Sequence, residues 1–178
     1  QLSAKPFLII MDLLVSVISK RVASVLLLNC LLTKICLQLM KNYQKVLNIQ
    51  TKGKGLWEIT REVNDVVQDS KINSGLCSLF VQHTSASLII QENADPDVQS
   101  DLEYFLGKLV PENDLGYTHT VEGPDDMPSH IKSVLTNTSE QIPLSSGEML
   151  LGTWQGIFIW EHRTIGYSRN VVVNISGE

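Results

Sequence analysis

The chain has 178 residues, with 14 basic and 19 acidic side chains, so its formal net charge is −5. This acidic excess argues against a general nucleic-acid-binding protein, because phosphate binding needs a basic surface. An apolar fraction of 43% with 19% charged residues excludes an intrinsically disordered chain, and three unevenly spaced cysteines exclude a disulfide framework.

The first 39 residues differ in composition from the rest. They contain 25 apolar residues, four basic residues and one acid, whereas residues 40–178 contain 10 basic and 18 acidic side chains. Two apolar runs, 7–18 and 22–32, flank the basic pair Lys20-Arg21, and neither reaches the roughly 18 uncharged residues that span a bilayer. We therefore expect residues 1–39 to be an extension outside the fold. Upstream translation without a native role, a targeting segment and a membrane anchor are the alternatives.

From Met40 onward, the apolar pattern predicts a compact α+β domain of mixed β-sheets with inserted helices. Strands are predicted at 41–51, 76–82, 87–91, 141–144, 149–163 and 168–175. Helices are predicted at 57–69, from Asp95-Pro96 to Pro111, and from Pro128 to about Leu135. Residues 112–127 are predicted to form a long polar loop of the kind usually kept for function.

Three of the four histidines are the candidates for chemistry. His83 stands at a strand end, His119 in the polar loop and His130 in the first turn of the last predicted helix. The positive end of that helix disfavours an imidazolium and keeps a nitrogen lone pair available for a metal. Three imidazoles with one open position match a catalytic zinc site. Their spacings of 36 and 11 residues do not force them together, so hydrogen-bonded or surface histidines are the alternative.

The long strand predicted near the C-terminus carries further candidates. A period of two places Gln155 and Glu161 on one face and Trp154 on the opposite face. About 20 Å of strand separates the two polar side chains, so one small molecule cannot contact both within a single strand. The alternative for Glu161 is a salt bridge with Arg163 or Arg169.

Several ordered motifs resemble the YjbQ-type proteins, which are named the secondary thiamine-phosphate synthase family. They are residues 83–88, 117–119, 122–132 and 151–157, together with Glu161 and Arg169. The resemblance begins at Met40 and covers about 139 of the 178 residues. It leaves the first 39 residues outside.

The resemblance implies a subunit that assembles as a homotrimer and a metal pocket whose ligands map onto His83, His119 and His130. It implies the joining of a pyrimidine diphosphate to a thiazole phosphate with loss of pyrophosphate. The cofactor would be a divalent metal at a zinc-type site, with Mg²⁺ an option for a diphosphate substrate. His130 and Glu161 would be catalytic. The expected substrate contacts are Thr84, Ser85, Trp154, Gln155 and Arg169.

Two other functions stay open beside this phosphorylated-substrate enzyme. The same histidines would suit a metal-water hydrolase, and a non-catalytic trimeric scaffold would use the tryptophan-rich strand between subunits. Only Lys132, Arg163 and Arg169 are basic near the expected pocket, so a metal would have to absorb most of the developing phosphate charge. We expect a cytoplasmic protein without nucleic-acid partners, and without membrane contacts for residues 40–178, unless residues 1–39 direct it elsewhere.

Overall fold

A computed structural model describes the backbone of residues 5–178 and the side chains of residues 16–33 and 40–178. The side chains of Lys5 and Asp12, which contributed to the sequence argument, lie outside this described part. The chain divides after Met40 into two compact units, which are described separately. The prediction that residues 1–39 are an extension without a role in the fold stays a prediction.

The N-terminal unit contains the helix α1, Lys5–Leu39. All described side chains between residues 16 and 33 are exposed. Within α1, the segment Ser16–Thr33 is long and apolar enough to cross a membrane. It includes Lys20 and Arg21, the charges that separate the two apolar runs of the sequence.

The second unit contains eight strands and three helices. The strands are β1 Lys41–Gln50, β2 Gly55–Glu58, β3 Gly75–Val81, β4 Ala86–Glu92, β5 Ser139–Ser145, β6 Glu148–Met149, β7 Gln155–Glu161 and β8 Ser168–Gly177. The helices are α2 Thr60–Ser70, α3 Pro96–Leu109 and α4 Asp126–Leu135. The predicted α+β class is confirmed.

The strands form two sheets, and every pairing between the strands named above is antiparallel. A five-stranded sheet has the order β1-β8-β3-β5-β6, and a three-stranded sheet has the order β2-β7-β4. In β8 the residues Val171, Val173 and Ile175 are fully buried and alternate with partly exposed ones, which is the period of a strand with one core face. The expectation of mixed sheets is thus corrected to antiparallel ones.

One hydrophobic cluster joins the two sheets and α2. It includes Val63 and Val67 of α2, Leu79 of β3 and Ile159 of β7, each at most 1% exposed. Burial of each such side chain contributes about 1.5–3 kcal/mol relative to leaving it in water.

Three predicted elements differ from the observed ones. The predicted helix at 57–69 starts only at Thr60, because Trp57 belongs to β2 and pairs with Ile159. The predicted strand at 149–163 is two strands, β6 and β7, separated by a turn. The last helix begins at Asp126, two residues before Pro128. This earlier start decides the composition of the candidate site.

The helix α3 begins as predicted, with the Asp95 side chain accepting the Asp97 N–H at 2.9 Å. Its large apolar residues are only partly buried: Leu106 is 6% exposed, but Phe105 and Leu109 are 62% and 58% exposed. The homotrimer implied by the family resemblance stays a prediction.

Candidate metal centre

His119, Asp126 and His130 lie together at the start of α4. The atoms that each could offer to a metal ion are all within 4.8 Å of one another. The Asp126 Oδ2 is 2.6 Å from the His119 Nε2 and 3.6 Å from the His130 Nε2. The centroids of the two imidazole rings are 5.5 Å apart. Two imidazoles and one carboxylate therefore converge on one small region.

The backbone explains this convergence. Asp126 is the first residue of α4 and His130 follows four residues later, so one helical turn places both side chains on the same face. His119 comes from the loop between α3 and α4, seven residues before Asp126. The helix therefore supplies two potential metal ligands at a fixed spacing, and the loop supplies the third.

A backbone carbonyl orients the His130 ring. Its Nδ1 is 3.0 Å from the carbonyl oxygen of Thr84. A carbonyl only accepts, so Nδ1 carries the proton and donates, and the lone pair of the neutral ring lies on Nε2, the nitrogen nearer Asp126. Metal-binding histidines show this arrangement, in which the second ring nitrogen donates to an oxygen outside the metal site.

Arg163 holds the Asp126 carboxylate from the opposite side. The Asp126 side chain is only 3% exposed, and its Oδ1 contacts the Arg163 Nη1. The same guanidinium donates to Asp125 Oδ2 at 3.2 Å and to the Glu122 carbonyl at 2.8 Å. Because Oδ1 is occupied by Arg163, the Oδ2 atom is the one directed at the two imidazoles.

Neighbouring charges fix the ionisation of the Asp125–Arg163 pair. Burial works against the charged form of Asp125, but the Thr164 N–H at 2.8 Å and the Arg163 guanidinium outweigh it and hold the Asp125 pKa below its usual value. Burial also opposes the charge on Arg163, yet the Asp125 and Asp126 carboxylates raise the Arg163 pKa. The Arg163 guanidinium that supports Asp126 is therefore charged at neutral pH.

The structure does not bring His83 into this group. The His83 Nε2 accepts the backbone N–H of Asn170 at 2.8 Å, so that nitrogen is committed to the end of β8. Among the described residues, the close group of potential ligands consists of two histidines and a carboxylate. The expected set of three histidines is therefore changed by replacing His83 with Asp126.

Glu161 also lies away from the group. Its side chain is 0% exposed, and its Oε2 accepts from the Arg169 Nε at 2.7 Å and from the Thr51 hydroxyl at 2.8 Å. Its Oε1 accepts the Arg163 backbone N–H at 3.0 Å. The salt bridge with Arg169, the alternative weighed for Glu161, is the observed arrangement. A carboxylate enclosed in this way has no path to a substrate, which argues against the expected catalytic role.

The remaining expected substrate contacts are scattered. Thr84 is exposed and touches His130 through its carbonyl, while the Ser85 carbonyl accepts from Arg169 at 3.4 Å. Trp154 is 64% exposed in the turn before β7. The Gln155 side chain accepts the Gly152 N–H at 2.7 Å. Of this set, Thr84 alone adjoins the candidate centre.

Asp126 is not among the ligands predicted from the sequence, because the polar composition of residues 112–127 predicts a loop there. A helix drawn from Pro128 separates Asp126 from His130, whereas the observed helix unites them. The spacing of four between an acid and a histidine was the available signal.

His162, left out of the predicted site, is a buried histidine at the end of β7. Its side chain is 1% exposed, and its Nε2 is 2.8 Å from the Ser87 hydroxyl oxygen. Its Nδ1 has no hydrogen-bond partner among the described residues. Burial, and then the nearby charge of Lys132, lower the His162 pKa to about 3. The ring is therefore neutral at physiological pH.

This burial predicts a pH-dependent stability. The His162 pKa is about 3 in the fold against 6.5 as its ordinary value, so protonation favours the unfolded chain. The stabilisation is complete above pH 6.5 and falls as the pH drops toward 3, by about 1.4 kcal/mol per pH unit. Urea unfolding from pH 7 to pH 4 should show a shallower decline for His162→Gln, which keeps the bond to Ser87. Identical slopes in both proteins would contradict the prediction.

Comparison with known proteins gives a consistent family. Residues 45–178 match the family model described as "UPF0047 protein YjbQ-like". A UPF0047 protein of Synechocystis is 54% identical over 78% of this chain and 94% of its own length. The UPF0047 protein YjbQ of Escherichia coli O157:H7 is 45% identical over 76% of this chain and 99% of its own.

Solved structures agree with the fold. A YbjQ-like protein of unknown function from Sulfolobus solfataricus superposes with a TM-score of 0.72 at 25% identity, covering 78% of this chain and 99% of that one. A YjbQ/UPF0047 family protein from Clostridium acetobutylicum has a TM-score of 0.65 at 36% identity, covering 74% and 98%.

The prediction of thiamine-phosphate synthase activity is wrong, and the transferase class that depended on it is not supported. Relatives at 45–54% identity carry the UPF0047 designation without a synthase activity. The site gives a physical reason. Lys132 is 2% exposed, Arg163 binds Asp125 and Asp126, and Arg169 binds Glu161. Of the three basic groups expected to serve a departing pyrophosphate, one is buried and the other two are paired with carboxylates.

Proposed function

Because the chain belongs to the UPF0047 family of YjbQ-like proteins, and the family match spans the whole donor group, we propose that it binds a divalent metal ion of the zinc type. The proposed ligands are His119, Asp126 and His130. The observation that carries the proposal is that one potential metal-ligand atom from each of these three residues converges on the same small region. The other polar atom of two of these side chains is already bonded: His130 Nδ1 to the Thr84 carbonyl and Asp126 Oδ1 to Arg163.

The donor set indicates the kind of ion. Two imidazoles and a carboxylate are a ligand set of catalytic zinc, which leaves a further position for water or substrate. Mg²⁺ prefers oxygen ligands in octahedral geometry and seldom takes imidazoles. The two nitrogen ligands therefore disfavour Mg²⁺, the option considered for a diphosphate substrate.

Water activation is the chemistry that this arrangement suits. When bound with an open position, such an ion acts as a Lewis acid and brings the ionisation of a water ligand close to neutral pH. Arg163 contacts the Asp126 carboxylate through Oδ1 and leaves Oδ2 facing the imidazoles, and Thr84 keeps the His130 lone pair on Nε2. The His119 and His130 side chains are 46% and 34% exposed, so small molecules can reach the donors from solvent.

A cavity of about 440 Å³ adjoins His119 on the loop side. Its lining includes Tyr117, Pro124 and Met127, which offer apolar surface next to a polar centre, as small-molecule sites commonly do. A cytoplasmic location and assembly as a homotrimer stay predictions.

Metal titration tests the proposal. Protein freed of metal with EDTA should bind one Zn²⁺ per chain in calorimetry, and Zn²⁺ at about 100 times its dissociation constant should raise the unfolding free energy by about 2.7 kcal/mol. Mg²⁺ at the same concentration should have no such effect. Asp126→Asn should weaken zinc binding by at least about tenfold, because a neutral amide is a poor zinc ligand.

Asp114→Asn is the matched control. Asp114 is an exposed acid of the same loop whose side chain accepts the Gly116 N–H, a bond that asparagine can also accept. This variant should bind Zn²⁺ like the unaltered protein. Substoichiometric binding, or equal zinc affinity in both variants, would show that the group is a hydrogen-bonded pair of His119 and Asp126 without a metal role.

A further inference from the structure

A second cavity lies on the other side of His130. It measures about 470 Å³, within the range of small-molecule sites. It lies between the loop that joins β3 to β4 and the C-terminal half of α4. Its lining consists of His83, Thr84, His130, Ser133, Val134, Thr136 and Thr138.

The two imidazoles are the only titratable side chains in the lining. Within the described residues that form the cavity there is no carboxylate, lysine or arginine. Lys132 of α4 is only 2% exposed and does not line the cavity, and Arg169 is paired with Glu161. An anion placed here would lose water without gaining a charged partner, which is costly. The cavity therefore suits an uncharged ligand.

His83 is a fixed hydrogen-bond donor in this cavity. Its Nε2 accepts the Asn170 N–H at 2.8 Å, so Nε2 cannot carry a proton without breaking that bond. The proton of the neutral ring is then on Nδ1. Burial, followed by the charge of Arg169, lowers the His83 pKa, in agreement with this assignment. Among the hydrogen bonds of the described residues, none engages His83 Nδ1.

From this geometry we infer that the cavity between His83 and His130 binds an uncharged carbonyl compound, such as an amide or an ester, whose oxygen accepts from His83 Nδ1. The apolar part of the ligand packs against Val134 and the threonine methyl groups. The inference goes beyond the proposed metal ion and does not depend on it, because the cavity and the His83 N–H are present without any ion. His130 borders both this cavity and the group of potential metal ligands, so a carbonyl compound bound here would lie beside the candidate metal centre.

A series of three compounds that differ in charge tests the class of ligand. Benzamide, benzoate and phenyl phosphate present the same ring with a neutral, a singly charged and a doubly charged group. In saturation-transfer NMR titrations of EDTA-treated protein, benzamide should bind at least about tenfold more tightly than benzoate, and phenyl phosphate should bind least. Equal or tighter binding of either anion, or no binding of benzamide at millimolar concentration, would overturn the inference.

Two substitutions test the donor. In His83→Gln the amide oxygen replaces Nε2 as acceptor for the Asn170 N–H, and the Nδ1 donor is lost; benzamide affinity should fall about tenfold, the value of one hydrogen bond. In His83→Asn the amide nitrogen takes the place of Nδ1, so most of the affinity should remain. Thermal melting checks that both variants fold. Unchanged benzamide binding by a folded His83→Gln protein would overturn the role of His83. If the unaltered protein bound benzamide but not Zn²⁺, the proposed metal site would be contradicted and the inference about this cavity would stand.

Discussion

Replacement of Arg169 by methionine should lower the free energy of unfolding by about 3–5 kcal/mol at pH 7, because it leaves Glu161 as an uncompensated buried charge. The Glu161 and Arg169 side chains are 0% and 4% exposed. Glu161 keeps only the Thr51 hydroxyl and the Arg163 backbone N–H as donors after the change. Urea unfolding followed by circular dichroism measures the difference.

Two further variants test whether the stability loss of Arg169→Met comes from the unpaired buried charge of Glu161. The double variant Arg169→Met with Glu161→Gln removes both charges, so it should recover at least half of the lost stability. Lys45→Met breaks the exposed pair with Asp69, whose side chains are 47% and 54% exposed, and should cost less than about 1 kcal/mol. A loss for Arg169→Met as small as that for Lys45→Met would show that the Glu161 pair is not a buried one.

Replacement of Arg163 by methionine should have a comparable effect on stability and a second effect on the candidate site. The guanidinium is the shared partner of Asp125 and Asp126, both nearly buried, so its removal should cost about 3–5 kcal/mol. Arg163 also directs the Asp126 carboxylate, and loss of such outer support typically weakens metal affinity about 10- to 100-fold. Urea unfolding without metal and zinc calorimetry measure the two effects separately.

The control for this change is Arg61→Met, on the exposed surface of α2. It should leave both the unfolding free energy and the zinc affinity within experimental error. If Arg163→Met lowered stability but left zinc affinity intact, Asp126 would be held in place by the helix alone. If neither quantity changed, the buried ionic support described for Asp126 would be disproved.

The sequence predicted most strands and the start of α3, because their signals are local. Alternating apolar residues marked β8, and Asp95-Pro96 marked a capped helix start. The strand β2 was missed because its four residues are too few to show a period, and the pairing of Trp57 with Ile159 fixes it from a distance. A turn likewise interrupts the long apolar stretch after Met149.

The candidate site could be predicted in part. His119 and His130 were candidates from their positions and from the family motif, but the four-residue spacing of Asp126 and His130 does not by itself show that Asp126, and not His83, lies beside them. That exchange depends on where α4 begins, and on the hydrogen bond that turns His83 toward Asn170. Both are tertiary facts. The enclosure of Glu161 is another, because it depends on Arg169 and Thr51, which come from distant parts of the chain.

The three potential metal ligands are divided between a helix and a loop, and this division has a kinetic consequence. Asp126 and His130 share one turn of α4, whereas His119 is attached through a segment with no helix or strand of its own. Transient departure of that segment would leave two of three donors in place. For a zinc ion bound at the proposed site, we therefore expect chelators to act at a rate set by opening of the connection between α3 and α4. Stiffening this connection would then slow metal exchange more than it would tighten equilibrium binding.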